Sequence, residues 1–208
     1  MTCVVGVRGK SGVLLAGDSQ MSWENGNRMS KDAKTFQLSD VLAVAYCGSG
    51  RLGQVLAFHL NELEDPPLGR DEQRWAVREF VPYLRGVTED AGHLHIWHNV
   101  EELGESAFLL AVRGRLFMVE ADFSVSEHRY AYDALGSGME TAIGAMRALA
   151  GDATEPLADG RLLRIATAGI SAASEFTNYV GGAITSLKTV IYTDEERELA
   201  KQIAKPKR

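Results

Sequence analysis

The chain is expected to fold as an α+β protein, a four-layer αββα sandwich, and three observations lead there. Two short, nearly all-apolar runs, 2–7 and 12–17, open the chain around Arg8-Gly9-Lys10-Ser11 and read as a hairpin in a buried sheet. The remaining segments follow as strands, two helices, strands, two helices and a last strand. Single strands and helices do not alternate, which removes a doubly wound parallel sheet. With 208 residues, 45% of them hydrophobic, there is material for one domain with a substantial core. That domain is expected over 1–193, with a charged and helical tail over 194–208.

After the hairpin, the polar stretch 21–30 reads as a loop or ragged strands, and 41–47 as a strand ending in Gly48-Ser49-Gly50. Leu52, Leu56, Leu60 and Leu63 recur at helical spacing, so a helix is expected from about 51 to 64, stopped by Asp65-Pro66-Pro67. Asp71 is placed to cap a second helix carrying Trp75, Val77, Phe80, Val81 and Leu84. Pro82 inside it forces an irregularity or an early end. Runs 106–112 and 115–121 flank Arg113-Gly114 and, with 130–135, form an antiparallel meander. Met139, Ile143 and Met146 mark a third helix. Leu162, Ile165, Ala166, Gly169, Ile170 and Ala173 mark a fourth, and 183–192 reads as the final strand.

The formal net charge of -6 argues against nucleic acid or an anionic membrane as main partner, because both demand concentrated Lys and Arg. Cys3 and Cys47 make no disulfide framework, and neither an export signal nor a membrane-spanning run is read. A reducing cytoplasm is the expected compartment.

Chemistry enters at Thr2. A hydroxyl is a weak nucleophile at neutral pH, and a threonine whose own α-amine serves as base overcomes this, provided that it stands at the terminus. Removal of Met1 before a small residue would free that amine. Asp18 follows at the end of the second strand, Lys34 lies in Lys34-Thr35-Phe36-Gln37-Leu38, and Gly48-Ser49-Gly50 comes next. With these spacings the chain resembles the catalytic β-subunits of the proteasome family of N-terminal nucleophile hydrolases, and especially the bacterial HslV type. Ala134-Leu135-Gly136-Ser137-Gly138 is similar to the family turn before its third helix, and Phe176-Thr177-Asn178 resembles the Tyr-Thr-Asn of the HslV type. The resemblance covers most of the chain and is weakest over 65–105.

The resemblance implies a threonine peptidase of a self-compartmentalising protease. Thr2 is then the nucleophile, Lys34 the adjacent positive charge, Asp18 the group that holds Lys34, Gly48 N–H the oxyanion donor and Ser137 a proton relay. It implies substrate backbone binding by Met21, Ser22, Gly48 and Ser49, and a first specificity pocket bordered by Met21, Asp32, Tyr46 and Gly50. It also implies a structural monovalent cation on the backbone carbonyls of Ser171, Ser174 and Thr177, no cofactor for catalysis, assembly into stacked rings, polypeptide substrates and an ATP-dependent unfoldase as partner. Two other readings stay open: a ring scaffold that keeps Met1, and an amidohydrolase acting on a small amide.

Other motifs carry less. Gly48-Ser49-Gly50 and Gly136-Ser137-Gly138 lack the Gly-Lys-Ser/Thr ending of a phosphate loop and read as helix starts. His93, His95 and His98 have no accompanying Cys or carboxylate cluster at ligand spacing, so metal binding is not expected there. Both thiols are expected to be inert packing groups.

Overall fold

The computed structural model describes residues 2–23, 26–60, 63–193 and Glu196. The opening hairpin is β1 (Val4–Gly9) and β2 (Gly12–Gly17), followed by a small ribbon, β3 (Gln20–Trp23) and β4 (Gly26–Met29), where a loop or ragged strands were expected. Next come β5 (Thr35–Gln37), β6 (Leu42–Cys47) and α1 (Gly50–Phe58). Ser49 caps α1, its Oγ accepting from Arg51 N at 3.1 Å.

Asp71 caps the following helix as its position predicts, with Oδ1 accepting from Arg74 N at 2.7 Å. That helix runs as α2 (Glu72–Trp75), a π-helical turn (Ala76–Phe80) and α3 (Val81–Asp90), so Pro82 perturbs the helix without ending it. The proline removes one backbone donor, and the wider turn lies immediately before it. A second ribbon, β7 (His95–Trp97) and β8 (Val100–Glu102), was not anticipated from the sequence. Its strands are only three residues long, and its turn is set by His98 and Asn99 at positive φ rather than by glycine.

The meander follows as β9 (Ala107–Val112), β10 (Arg115–Val119), β11 (Val125–Glu127) and β12 (Tyr132–Leu135). Then come α4 (Met139–Ala150), α5 (Leu162–Phe176) and β13 (Thr185–Lys188). The last strand is shorter than the expected 183–192. The tail expected over 194–208 lies outside the described residues except Glu196, whose carboxylate grips Arg113 in a two-point pair at 2.6 and 2.9 Å.

One sheet runs β12-β1-β2-β13 and the other β11-β10-β9-β6-β5. Alternation along the strands explains why both look continuously apolar. Val4, Val13, Leu15, Ala43, Ala45, Leu109 and Ala111 fill the space between the sheets. Their neighbours Val5, Val7, Leu14 and Ala16 pack under α4 and α5. Leu42, Val44, Phe108 and Leu110 pack under α1 to α3. Each strand residue thus serves one of two apolar layers, and the four-layer αββα sandwich results.

Candidate active site

Strand register brings the terminus to the site. Val4 stands opposite Leu135 on one side and Gly17 on the other, so Thr2, two residues upstream, comes level with Ser137, and Cys3, beside it, with Asp18. Thr2 N donates to Ser137 Oγ at 3.3 Å, and Ser137 Oγ in turn reaches Thr2 O at 3.3 Å.

Asp18 is fully buried, and all its lone-pair directions are used. Oδ1 accepts from Lys34 Nζ at 2.8 Å and from Cys3 N at 2.9 Å. Oδ2 accepts from Gln20 N and Gly181 N, each at 3.2 Å. Lys34, 4% exposed, makes a second bond from Nζ to Gln20 O at 2.6 Å. Burial pulls the Lys34 ammonium below its usual range, against the opposing pull of the Asp18 carboxylate. The result is a fixed positive charge held against the strand that carries Thr2.

Gly48 closes β6 at φ +100°, in the left-handed region, and Ser106 Oγ accepts from Ser49 N at 2.9 Å beside it. Met21, Asp32, Tyr46 and Gly50 come together around one cavity of about 450 Å³, with Phe36 stacked on Tyr46 at a centroid distance of 5.9 Å. Burial, reinforced by Asp32, raises the Tyr46 phenol. Ser22 does not line this cavity: its Oγ accepts from Gln20 Nε2 at 2.9 Å and reaches Tyr179 O at 3.4 Å. Gly48 and Ser49 line a different cavity, of about 900 Å³, together with Thr2 and Ser137.

Ser171 and Ser174, in the last two turns of α5, line a third cavity of about 320 Å³. Thr177 is not in that lining, and both its N–H and its Oγ1 are bonded to Ala173 O. The histidines separate: His93 and His95 meet edge to face with ring centroids 5.5 Å apart, whereas His98 packs on Trp97. Burial, with Asp18 adding to it, pushes the Cys3 thiol up to about 12, and burial raises Cys47 as well. Both groups therefore stay protonated at neutral pH.

Sequence reasoning did not find the backbones of Gln20 and Gly181, which orient Asp18 and Lys34, or Ser106, which supports the Gly48 turn. Backbone partners leave no residue-type signal, and Ser106 lies 57 positions from Ser49. Among the described residues, no helix is long and apolar enough to cross a membrane.

The family described as "Proteasome subunit" matches residues 1–62. The chain is 31% identical over 190 residues to proteasome subunit beta 1 of Thermococcus kodakarensis, covering 88% of this chain and 86% of that one. It is 29% identical over 147 residues to proteasome subunit beta 1 of Thermococcus gammatolerans, covering 68% and 67%. In structure it is similar to Thiobacillus denitrificans BPH in complex with epoxomicin, with a TM-score of 0.72 at 24% identity over 92% of this chain and 100% of that one. It is also similar to a eukaryotic HslV from Trypanosoma brucei, with a TM-score of 0.62 at 17% identity over 90% and 99%. The two-sheet sandwich is thus shared with proteasome-like and HslV structures, and by its likeness to the T. kodakarensis subunit over most of both chains, this protein belongs to the proteasome β-subunit family.

Proposed function

We propose that the chain is a threonine peptidase subunit whose nucleophile is Thr2 once Met1 is removed. The observation that carries this reading is the Asp18 carboxylate, which accepts from both Lys34 Nζ and the amide that follows Thr2. A buried Lys–Asp pair joined to the N-terminal strand has no evident packing purpose. It does have a purpose beside a hydroxyl that must lose a proton.

In the proposed reaction the freed Thr2 amine takes the Oγ proton while Oγ bonds to the scissile carbonyl carbon. The carbonyl electron pair moves onto oxygen, where the Gly48 N–H receives it, a contribution of about 3 kcal/mol in comparable sites. Lys34 lowers the energy of the developing alkoxide and disfavours protonation of the amine. Collapse expels the leaving amine, which takes the proton back from the Thr2 ammonium, with Ser137 Oγ close by. Water then cleaves the Thr2 ester by the same sequence. Met21, Ser22, Gly48 and Ser49 hold the substrate backbone, and Met21, Asp32, Tyr46 and Gly50 border the pocket for the residue before the scissile bond.

Family membership supports assembly into stacked rings that enclose these sites, polypeptide substrates, and an ATP-dependent unfoldase that delivers them. The reading assigns a structural, not a chemical, role to a monovalent cation on the carbonyls of Ser171, Ser174 and Thr177.

Intact mass of the purified protein, with and without an epoxyketone probe and with a Thr2→Ala control, tests the reading. Loss of Met1 and one adduct that vanishes in the control is expected. Retained Met1 without an adduct overturns it and makes the chain a ring scaffold.

A further inference from the structure

Two cavities flank the turn from β6 into α1. Successive strand residues project to opposite faces, so Tyr46 and Cys47 belong to different cavities, Tyr46 with Asp32 and Cys47 with Thr2 and Ser137. If the Tyr46 side takes the residue before the scissile bond, the leaving half lies on the other side. Proton delivery agrees, because the leaving nitrogen must meet the Thr2 amine, and Thr2 N and Ser137 Oγ, 3.3 Å apart, both belong to residues lining the larger cavity.

The far wall of that cavity is the base of the β7–β8 ribbon, contributing His93, His95 and Glu105. The ribbon is tied down at both ends. His93 N donates to Thr88 O at 2.8 Å, Leu103 N donates to Ala121 O at 2.8 Å, and Arg85 on α3 pairs with Glu101. His93 is 7% exposed, and its Nε2 has no hydrogen-bond partner among the described residues. Buried polar atoms without partners are uncommon in native folds, and this one, closed to solvent in a residue of the cavity wall, gains a partner only if a small movement of the wall admits a ligand atom.

We infer that this cavity receives the residue after the scissile bond, and that His93 and His95 select an acidic side chain there. The inference rests on the peptidase reading above. A carboxylate is acceptor-only, and an imidazole offers it one N–H when neutral and two when protonated. The charged groups bearing on the pair are Arg51, which acts on His93 and donates from Nη2 to Ala91 O at 3.1 Å, Glu102, which stands opposite His95 in the ribbon, and Glu105, an exposed residue of the cavity wall. Arg51 itself lines the Tyr46 cavity, and Glu102, half-buried, and Glu105, exposed, can both turn to water.

The test uses internally quenched peptides that differ only in Glu, Gln, Ala or Lys after the scissile bond, with the cleaved bond verified by mass spectrometry. The wild type is expected to favour Glu over Ala by roughly three- to tenfold in kcat/KM, the range of one net hydrogen bond, and to disfavour Lys. His95→Ala, an exposed position, should bring the Glu-to-Ala ratio close to one, and His93→Asn should do the same if it folds. Cleavage without an acidic preference, or a preference that His95→Ala leaves intact, overturns the inference while Thr2 still takes the epoxyketone. No cleavage and no Thr2 adduct overturns the peptidase reading and this inference with it.

Discussion

Lys34 Nζ donates to Asp18 Oδ1 at 2.8 Å, and both side chains are withdrawn from solvent. Such a pair is strongly asymmetric: kept whole it is close to neutral, and broken it leaves a buried charge uncompensated. Asp18→Asn is therefore expected to cost about 3–5 kcal/mol of stability, read from urea unfolding. Lys34→Met, folded or partly so, should lose peptidase activity by about two orders of magnitude, because the alkoxide then lacks its charged neighbour. Retention of activity in Lys34→Met would remove Lys34 from the proposed mechanism.

Gly48 holds φ +100°, and a Cβ there would stand 2.6 Å from Ser106 Oγ and 2.7 Å from Glu105 O. Gly48→Ala must shift the turn whose amide the proposed mechanism assigns to the oxyanion. Steady-state kinetics should show a fall in kcat of about 10²-fold or more. A KM change alone would point to substrate binding instead.

Gly53 lies on α1 against the Tyr46 ring, where an added Cβ would sit 2.2 Å from the ring carbon bearing the hydroxyl. Gly53→Ala is expected to push Tyr46 into the cavity it lines, costing about 1–3 kcal/mol of stability. It should also narrow the range of residues accepted before the scissile bond. A peptide-library profile identical to wild type would show that Tyr46 does not border that subsite.

Burial, then His95 and Arg51, hold the His93 imidazole below its ordinary value of 6.5. Between the folded value and 6.5 the unfolded chain binds more protons than the folded one. Stability therefore falls as pH drops through that window, and this contribution is flat above it. The wild-type-minus-His93→Gln difference in urea midpoint should thus shrink from pH 7.5 to pH 5.5. A difference independent of pH would mean that His93 titrates alike in both states.

The αββα order was legible in the sequence because strand and helix periodicities are local, and because the apolar runs 2–7, 12–17 and 41–47 are too short to be anything but strands. Asp71 and the Pro82 irregularity were legible for the same reason: caps and missing donors act within one turn of helix. Thr2, Asp18, Lys34, Gly48 and Ser137 were legible as a spaced set of residue types. What only the tertiary structure decided is how these groups meet. Val4 paired with both Leu135 and Gly17 brings Ser137 and Asp18 to the terminus across 135 and 16 positions. Strand alternation at Tyr46 and Cys47 separates the two cavities. The β7–β8 ribbon places His93 and His95 in the wall of the cavity that Thr2 also lines, although in the sequence they resembled only an incomplete metal motif. Contacts of that range are set by sheet register and layer packing, which no local run of residues encodes.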